Sequence, residues 1–293
     1  MFIEIIKAIL FGIVEGITEW LPVSSTGHLI LLDEFVKLDV ANGLGAEFMG
    51  EYMEMFQVVI QLGAILAVLV TYWRKLLPRG FKSDKQTWTL WFKIAIASVP
   101  AALVGIVADK IIESVTGKDI DGWLYNAYVV AAMLIVYGVL FIVIEKLCKP
   151  DGVKIQDTHS ISYTTAFLIG AFQALAIIPG TSRSGATILG AILLGLSRSA
   201  AAEFSFFMAI PAMVGAGGIK MLGFFDYVGE SGVSVPAGAW LVLAVACAVA
   251  FAVSMLCIKF LTDFVKKHTF LAFGVYRIIL GAAVLIYFVI ATL

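Results

Sequence analysis

The sequence predicts an all-α membrane protein that crosses the bilayer several times, and three observations support this fold class. Hydrophobic residues make up 61% of the chain and charged residues 14%, against about 45–50% and about 25% in soluble domains. Six segments are apolar over nearly the length that a spanning helix needs. Basic and acidic residues collect in different loops between these segments. The net charge of −1 leaves no basic surface for nucleic acid.

The six apolar segments are the predicted transmembrane helices. Each approaches or exceeds the ~20 residues that cross the hydrocarbon core as an α-helix. The segments are 55–73, 91–108, 124–144, 204–223, 237–258 and 270–291.

Loop charges predict the orientation of these helices. Three loops hold eleven basic and four acidic residues, whereas three others hold twelve acidic and three basic residues. Because Lys and Arg are retained on the cytoplasmic side, we expect the first set inside and the second set outside. The basic set is 74–90, 146–160 and 259–268, and the acidic set is 33–54, 109–122 and 224–236.

Two further regions, 1–32 and 162–196, each hold two short apolar runs around a polar centre that contains Gly and Pro. As helices, the runs 162–178 and 186–196 would be roughly 25 Å and 16 Å long, shorter than the hydrocarbon core of about 30 Å. The neighbouring loops require region 162–196 to begin and end inside. We therefore predict a re-entrant helical hairpin there, and a matching hairpin that enters from outside at 1–32.

Each half then consists of one re-entrant hairpin plus three transmembrane helices. Since three is odd, the halves face opposite ways, which is an inverted-topology repeat. We expect one membrane domain, 1–293, with repeat one at about 1–146 and repeat two at about 160–293. A shift of 158 residues supports the repeat by aligning Gly12 with Gly170, Glu15 with Gln173, Ser24 with Ser182, Thr26 with Ser184 and Gly27 with Gly185.

The first polar centre lies within the motif GIVEGITEWLPVSSTGH, residues 12–28. Glu15 and Glu19 are four residues apart, so they share one helix face. Gly12 and Gly16 share another face, where a second backbone can approach closely. Pro22 is expected to end this helix, and the serines and threonine at 24–26 to cap the next one. Free N–H groups at such a helix start bind anions.

The second polar centre reads PGTSRSGAT, residues 179–187. An arginine inside a membrane is costly and indicates a functional site, and the planar fork of Arg183 suits a phosphate or a carboxylate. Together the two centres fit hydrolysis of a phosphate ester or diphosphate at the membrane. A serine would attack, Arg183 and helix N-termini would stabilise charge, and a carboxylate or His28 would move protons.

A phosphate beside Glu15 and Glu19 would be repelled unless the charge is compensated. A divalent cation that bridges carboxylate and phosphate oxygens is one solution, since Mg²⁺ commonly binds one or two carboxylates plus substrate phosphates. A carboxyl group that keeps its proton is the other. The sequence is compatible with either a bound cation or a protonated carboxyl group.

Both motifs resemble the signatures of the undecaprenyl-diphosphate phosphatase family, also called the bacitracin-resistance family. The resemblance continues through FQVVIQLGAILAV (56–68) and GVYRIILG (274–281) and covers essentially the whole chain. It implies a multi-pass bacterial inner-membrane enzyme that converts the C55 lipid diphosphate to the monophosphate and recycles this carrier for cell-wall synthesis. It also implies a site open to the periplasmic or outer side, dependence on Mg²⁺ or Ca²⁺, and a tendency to form homodimers among the membrane lipids.

The resemblance also assigns roles by position. Ser25 is the expected nucleophile and His28 the second choice, with Glu15 and Glu19 as the acidic motif and as candidate metal ligands. Arg183 is expected to act on the phosphoryl group. The remaining phosphate-binding candidates are Ser24, Thr26, Ser182, Ser184 and Thr187.

The alternative is a secondary transporter or lipid flippase, since broken helices that meet at mid-membrane are also typical of transporters. The hydroxyls, histidine and arginine beside two carboxylates exceed what an anion-binding site needs, which favours the enzyme. Arg277 is also expected to be buried and to need a partner. A place in the lining of the cavity and a structural ion pair are both open for it.

Overall fold

The fold comes from a computed structural model that describes residues 1–78, 84–117, 124, 126–148 and 152–291. These residues are mainly helical and include no β-strand, only an isolated bridge between Ile155 and Leu196. Six of their helices are long and apolar enough to cross a membrane, which confirms the predicted number. Several of the predicted loop charges lie outside the described residues: Arg79, Lys82, Lys118, Asp119, Asp121, Lys149 and Asp151.

Each of the six long helices covers all or most of one of the predicted apolar segments. Most extend further than predicted, because polar residues such as Glu47 and Asp109 continue a helix past its apolar section. Shorter helices occupy the two broken regions. In chain order the helices are α1 (Phe2–Thr18), α2 (Ser25–Phe35), α3 (Gly45–Thr71), α4 (Trp73–Leu76), α5 (Lys85–Thr116), α6 (Ala127–Leu147), α7 (Tyr163–Ala174), α8 (Arg183–Leu193), α9 (Arg198–Ser231), α10 (Ala237–Lys267) and α11 (Leu271–Ala291).

The first helix break separates α1 from α2. Helix α1 ends at Thr18, four residues before Pro22, and α2 begins at Ser25. Ser24 is the N-cap of α2: its side chain accepts a hydrogen bond from the Gly27 N–H, and its φ angle is 74°. A residue other than glycine is costly in this left-handed region, so neighbouring contacts must hold Ser24 there.

The second break repeats this geometry between α7 and α8. A 3₁₀ turn, Leu175–Ile177, follows α7. Ser182 then caps α8 by accepting a hydrogen bond from the Gly185 N–H, with a φ angle of 71°. Two serines 158 positions apart therefore share the same cap and the same unusual backbone conformation.

Glycines allow the broken helices to touch the long ones, as predicted for Gly12 and Gly16. A Cβ atom at Gly12 would lie 2.6 Å from the carbonyl oxygen of Ala246, and one at Gly16 would lie 2.9 Å from that of Ala250. Helix α1 thus packs backbone to backbone against α10. Such close packing drives helix association in membranes, where the hydrophobic effect between helices is absent.

Arg277 of α11 links the two breaks. Its side chain is fully buried, and its guanidinium donates to the carbonyl oxygens of Pro22 at 3.2 Å, Gly180 at 2.7 Å and Thr181 at 3.0 Å. The suggested ion pair is wrong for the described residues: no salt bridge forms there, and the guanidinium lies instead 5.5 Å from the ring centre of Tyr137. Buried carbonyl groups that a helix break releases need hydrogen-bond donors, and Arg277 supplies them.

Gly12→Ala should destabilise the protein, because the added methyl group would force α1 away from α10. Overpacking of this kind costs about 1–3 kcal/mol. The measurement is the fraction of monodisperse protein left after heating in detergent.

Gly218→Ala is the matched control, since nothing lies within 4 Å of a Cβ atom at Gly218. Equal thermal stability of the two variants would show that the α1–α10 contact does not require glycine.

Candidate active site

Residues from both breaks meet at the carboxylate of Glu19. The Ser25 hydroxyl donates to Glu19 Oε2 at 2.6 Å, and Arg183 Nη2 donates to Glu19 Oε1 at 3.1 Å. Glu19 lies just past the end of α1, Ser25 starts α2 and Arg183 starts α8. The structure therefore brings together three predicted site residues, of which one comes from the other half of the chain.

A second contact fixes the Arg183 guanidinium. Its Nη1 donates to the carbonyl oxygen of Ser205 on α9 at 2.8 Å. The Ser205 hydroxyl lies 2.6 Å from that of Thr187, which also donates to the carbonyl of Arg183. Sequence reasoning missed Ser205, because a single serine in the apolar run EFSFF is a weak signal.

Glu15 lies one helical turn before Glu19 and is fully buried. Neither of its carboxylate oxygens has a hydrogen-bond partner within the described residues. The group interacts electrostatically with Glu19 and Arg183. Since an unpaired buried carboxylate is very costly, Glu15 must either hold a proton or bind a cation.

His28 lies on α2, and its ring contacts Ser24 and Tyr276 rather than Glu19. Its Nδ1 is 2.7 Å from the carbonyl oxygen of Ser24, and its Nε2 is 2.7 Å from the hydroxyl of Tyr276. A carbonyl only accepts, so Nδ1 carries the hydrogen and Nε2 of the neutral ring accepts from Tyr276. With both nitrogens engaged, His28 is a poorer nucleophile than Ser25, whose hydroxyl contacts a carboxylate.

Four of the five other predicted phosphate-binding hydroxyls form hydrogen bonds within or between the two breaks. Ser24 and Ser182 cap their helices, and Ser184 lies 3.2 Å from the carbonyl oxygen of Glu19. Thr187 is bound to α8 carbonyls and to Ser205. Thr26 is half-buried at the start of α2. These contacts explain how the breaks keep their shape.

Within the described residues, no cluster of three or more His, Cys, Asp and Glu side chains is arranged to hold a metal ion. The two carboxylates of α1 and its C-terminal cap are the acidic groups of the site. A divalent cation here would therefore need substrate oxygens to complete its coordination.

Comparison with known proteins identifies the family. The sequence profile of the bacitracin resistance protein BacA family matches residues 8–283. The chain belongs to this family. An undecaprenyl-diphosphatase of Enterococcus faecalis is 51% identical over 97% of both chains. Proteins of the same name from Desulfitobacterium hafniense, covering 98% of this chain and 96% of its own, and Acetivibrio thermocellus, covering 98% of both, are each 50% identical.

The match to the BacA family includes both helix breaks and the part of α11 that holds Tyr276 and Arg277. The whole site therefore lies within the matched residues. A serine hydroxyl hydrogen-bonded to a carboxylate is an activated nucleophile, and an arginine on the same carboxylate can balance phosphoryl charge. This arrangement is suited to phosphoryl transfer.

Ser25→Ala should lower phosphate release from a polyprenyl diphosphate by about 10³-fold or more, because it removes the attacking oxygen. The assay uses detergent-solubilised protein and measures inorganic phosphate.

Ser114→Ala is the control, since this exposed serine bonds only to its own helix. If Ser25→Ala keeps a rate near that of the control, Ser25 is not the nucleophile.

Proposed function

We propose that this protein hydrolyses undecaprenyl diphosphate to undecaprenyl phosphate and inorganic phosphate, and so returns the lipid carrier to cell-wall synthesis. The observation that carries the proposal is the contact of Ser25 and Arg183 with opposite oxygens of Glu19. It is supported by relatives near 50% identity that bear the name undecaprenyl-diphosphatase over almost their whole length.

In the first step, Ser25 Oγ forms a bond to the terminal phosphorus while its proton passes to Glu19 Oε2, 2.6 Å away. The bridging P–O bond breaks, and its electron pair leaves with undecaprenyl phosphate. Arg183 and the free N–H groups at the starts of α2 and α8 balance the charge on the phosphoryl oxygens.

In the second step, water attacks the phosphoserine at Ser25. Glu19, having passed its first proton to the departing lipid phosphate, accepts one from the water. It then returns this proton to Ser25 Oγ as the P–O bond breaks and inorganic phosphate leaves. One carboxylate thus serves both steps, once as base towards serine and once as base towards water.

A divalent cation, Mg²⁺ or Ca²⁺, is part of the proposal. Glu15 fits this role because both of its buried oxygens lack partners among the described residues, and Glu19 lies beside it. Bound there, the ion would supply positive charge against the phosphate oxygens. Glu15 would otherwise have to keep a proton.

The inverted repeat and the re-entrant hairpins belong to the same proposal. The matching caps at Ser24 and Ser182 support them, as do the helix contacts: α1 packs against α10, while its counterpart α7 packs against α5. Gly12 and Gly170, also 158 positions apart, each face a carbonyl group of the neighbouring helix. Two tips that enter from opposite faces would meet at mid-membrane.

The surroundings of the enzyme follow from the family resemblance. We place the protein in the bacterial plasma membrane with its site open to the outer side, in contact with membrane lipids and as a homodimer. Six apolar helices support the membrane location.

Arg183→Lys should lower phosphate release by about 10-fold or more, because lysine keeps the charge but loses the fork that holds Glu19 and Ser205 together. The assay again uses protein in detergent.

The control is Arg74→Lys, which changes an exposed arginine of α4. Full activity of Arg183→Lys would show that hydrolysis does not require the forked guanidinium of Arg183. Wild-type protein that releases no phosphate would favour the transporter alternative, because transport has no meaning without sealed compartments.

Glu15→Gln should abolish the stimulation of phosphate release by Mg²⁺ or Ca²⁺ after chelation with EDTA, because glutamine removes the charge that holds the ion. The measurement is the rate as a function of added cation.

Glu54→Gln, a change at an exposed carboxylate of α3, should leave this cation response intact. An unchanged cation response in Glu15→Gln would contradict the ligand role and support a Glu15 that keeps its proton.

A further inference from the structure

Two adjacent residues of α11 contact the two helix breaks. Arg277 binds the carbonyl oxygens of Pro22, Gly180 and Thr181. Tyr276 places its hydroxyl 2.7 Å from Nε2 of His28. The first break is therefore held from α11 twice, directly by Arg277 and through a histidine ring by Tyr276.

The rings of Tyr276 and His28 lie nearly parallel, at 3° and with centres 5.7 Å apart. The hydroxyl of Tyr276 donates to Nε2, since Nδ1 of His28 donates to the Ser24 carbonyl. The ring of His28 is thus fixed at both nitrogens. Its plane and its tautomer are both set by these two bonds.

Ser24 needs such support because of its backbone conformation. Its φ angle of 74° lies in the left-handed region, which a serine occupies only when its surroundings hold it. One hydrogen bond from the Gly27 N–H reaches its side chain. Its carbonyl accepts the backbone N–H of His28 at 3.3 Å and the shorter bond from Nδ1 of His28 at 2.7 Å. Ser25 follows directly, so the direction of its hydroxyl depends on the Ser24 backbone.

The second break lacks this histidine. The position 158 residues after His28 is Ala186, although Ser182 has the same φ angle as Ser24 within a few degrees. The Ser182 carbonyl accepts the backbone N–H of Ala186 at 2.9 Å, as the Ser24 carbonyl accepts that of His28. Arg277 binds the carbonyl groups just before Ser182, Gly180 and Thr181. The contact from Tyr276 through His28 therefore belongs to the break that carries Ser25.

We propose that Tyr276 is a positioning residue for Ser25: it fixes the His28 ring, which holds the Ser24 carbonyl and so directs the Ser25 hydroxyl at Glu19. The proposal rests on the phosphatase function proposed above. Tyr276 acts through His28, because within the described residues its hydroxyl has no recorded bond to Ser25, Glu19 or Arg183.

The kinetic test is Tyr276→Phe in the full-length protein, with a polyprenyl diphosphate as substrate. Loss of one hydrogen bond should lower kcat by about 3- to 10-fold and leave KM nearly unchanged, since Tyr276 does not hold the phosphate. Tyr287→Phe is the matched control: the same helix loses a hydroxyl that forms no hydrogen bond within the described residues, and the ring remains packed against Phe35.

A double-mutant cycle tests the route through His28. In a His28→Ala background, Tyr276→Phe should cause no further loss of kcat. His28→Asn, which keeps an N–H near the Ser24 carbonyl, should retain more activity than His28→Ala and be equally insensitive to Tyr276→Phe. The proposal would be overturned if Tyr276→Phe lowered kcat in either His28 background by the same factor as in the wild-type protein. It would also be overturned if Tyr276→Phe alone raised KM and left kcat unchanged.

The spectroscopic test does not depend on activity. The chain has three histidines, so ¹⁵N labelling of histidine rings gives few signals, and His28→Ala assigns one set. Tyr276→Phe should move the His28 Nε2 resonance towards that of an unbonded nitrogen, whereas Tyr287→Phe should not. An unmoved Nε2 signal would overturn the positioning role, while wild-type protein without phosphate release would overturn the phosphatase function alone.

Discussion

A helix that breaks in a buried part of a protein leaves backbone groups without water or helical partners, and this constraint shapes the centre of the structure. The helical path is interrupted twice, after Thr18 and after Ile177. Carbonyl groups freed at both interruptions accept hydrogen bonds from one guanidinium, that of Arg277. Arg277 is costly to bury, yet its donors satisfy several such carbonyls at once. The breaks in turn place Ser25 and Arg183 at the starts of two facing helices.

The buried charged groups of the site differ in how well each is paired. Glu19 is paired with Arg183, and Arg277 is balanced by carbonyl dipoles and the ring of Tyr137. Glu15 interacts electrostatically with Glu19 and Arg183, but its carboxylate oxygens have no hydrogen-bond partner within the described residues. A phosphate entering the site would compete with Glu19 for Arg183, so substrate binding and loss of the Arg183–Glu19 contact are coupled. Glu15 would add to the negative charge there unless it keeps a proton or binds a cation.

Much of the fold follows from local patterns. Apolar length predicts the six spans, and the glycine spacing predicts that another backbone packs closely against α1, though not that it is α10. Serine before an apolar run predicts the cap of α2. Helix ends are less predictable, because polar residues such as Glu47 continue helices beyond the apolar section.

The contacts inside the site are harder to predict, because they join distant parts of the chain. His28 and Tyr276 are 248 residues apart, and neither residue type indicates the other. Ser205 acts through its backbone carbonyl, which any residue would offer. For Arg277, the sequence shows where carboxylates are but not which carbonyls lose their helical partners.

The position of Arg277 in the chain has a consequence for biosynthesis. Helix α11 follows all the other described helices, so both helix breaks are synthesised before the side chain that joins them exists. At synthesis rates of about 5–20 residues per second, the first break waits about ten seconds or more for that partner. The contact that joins the two breaks can therefore form only after α11 has been made.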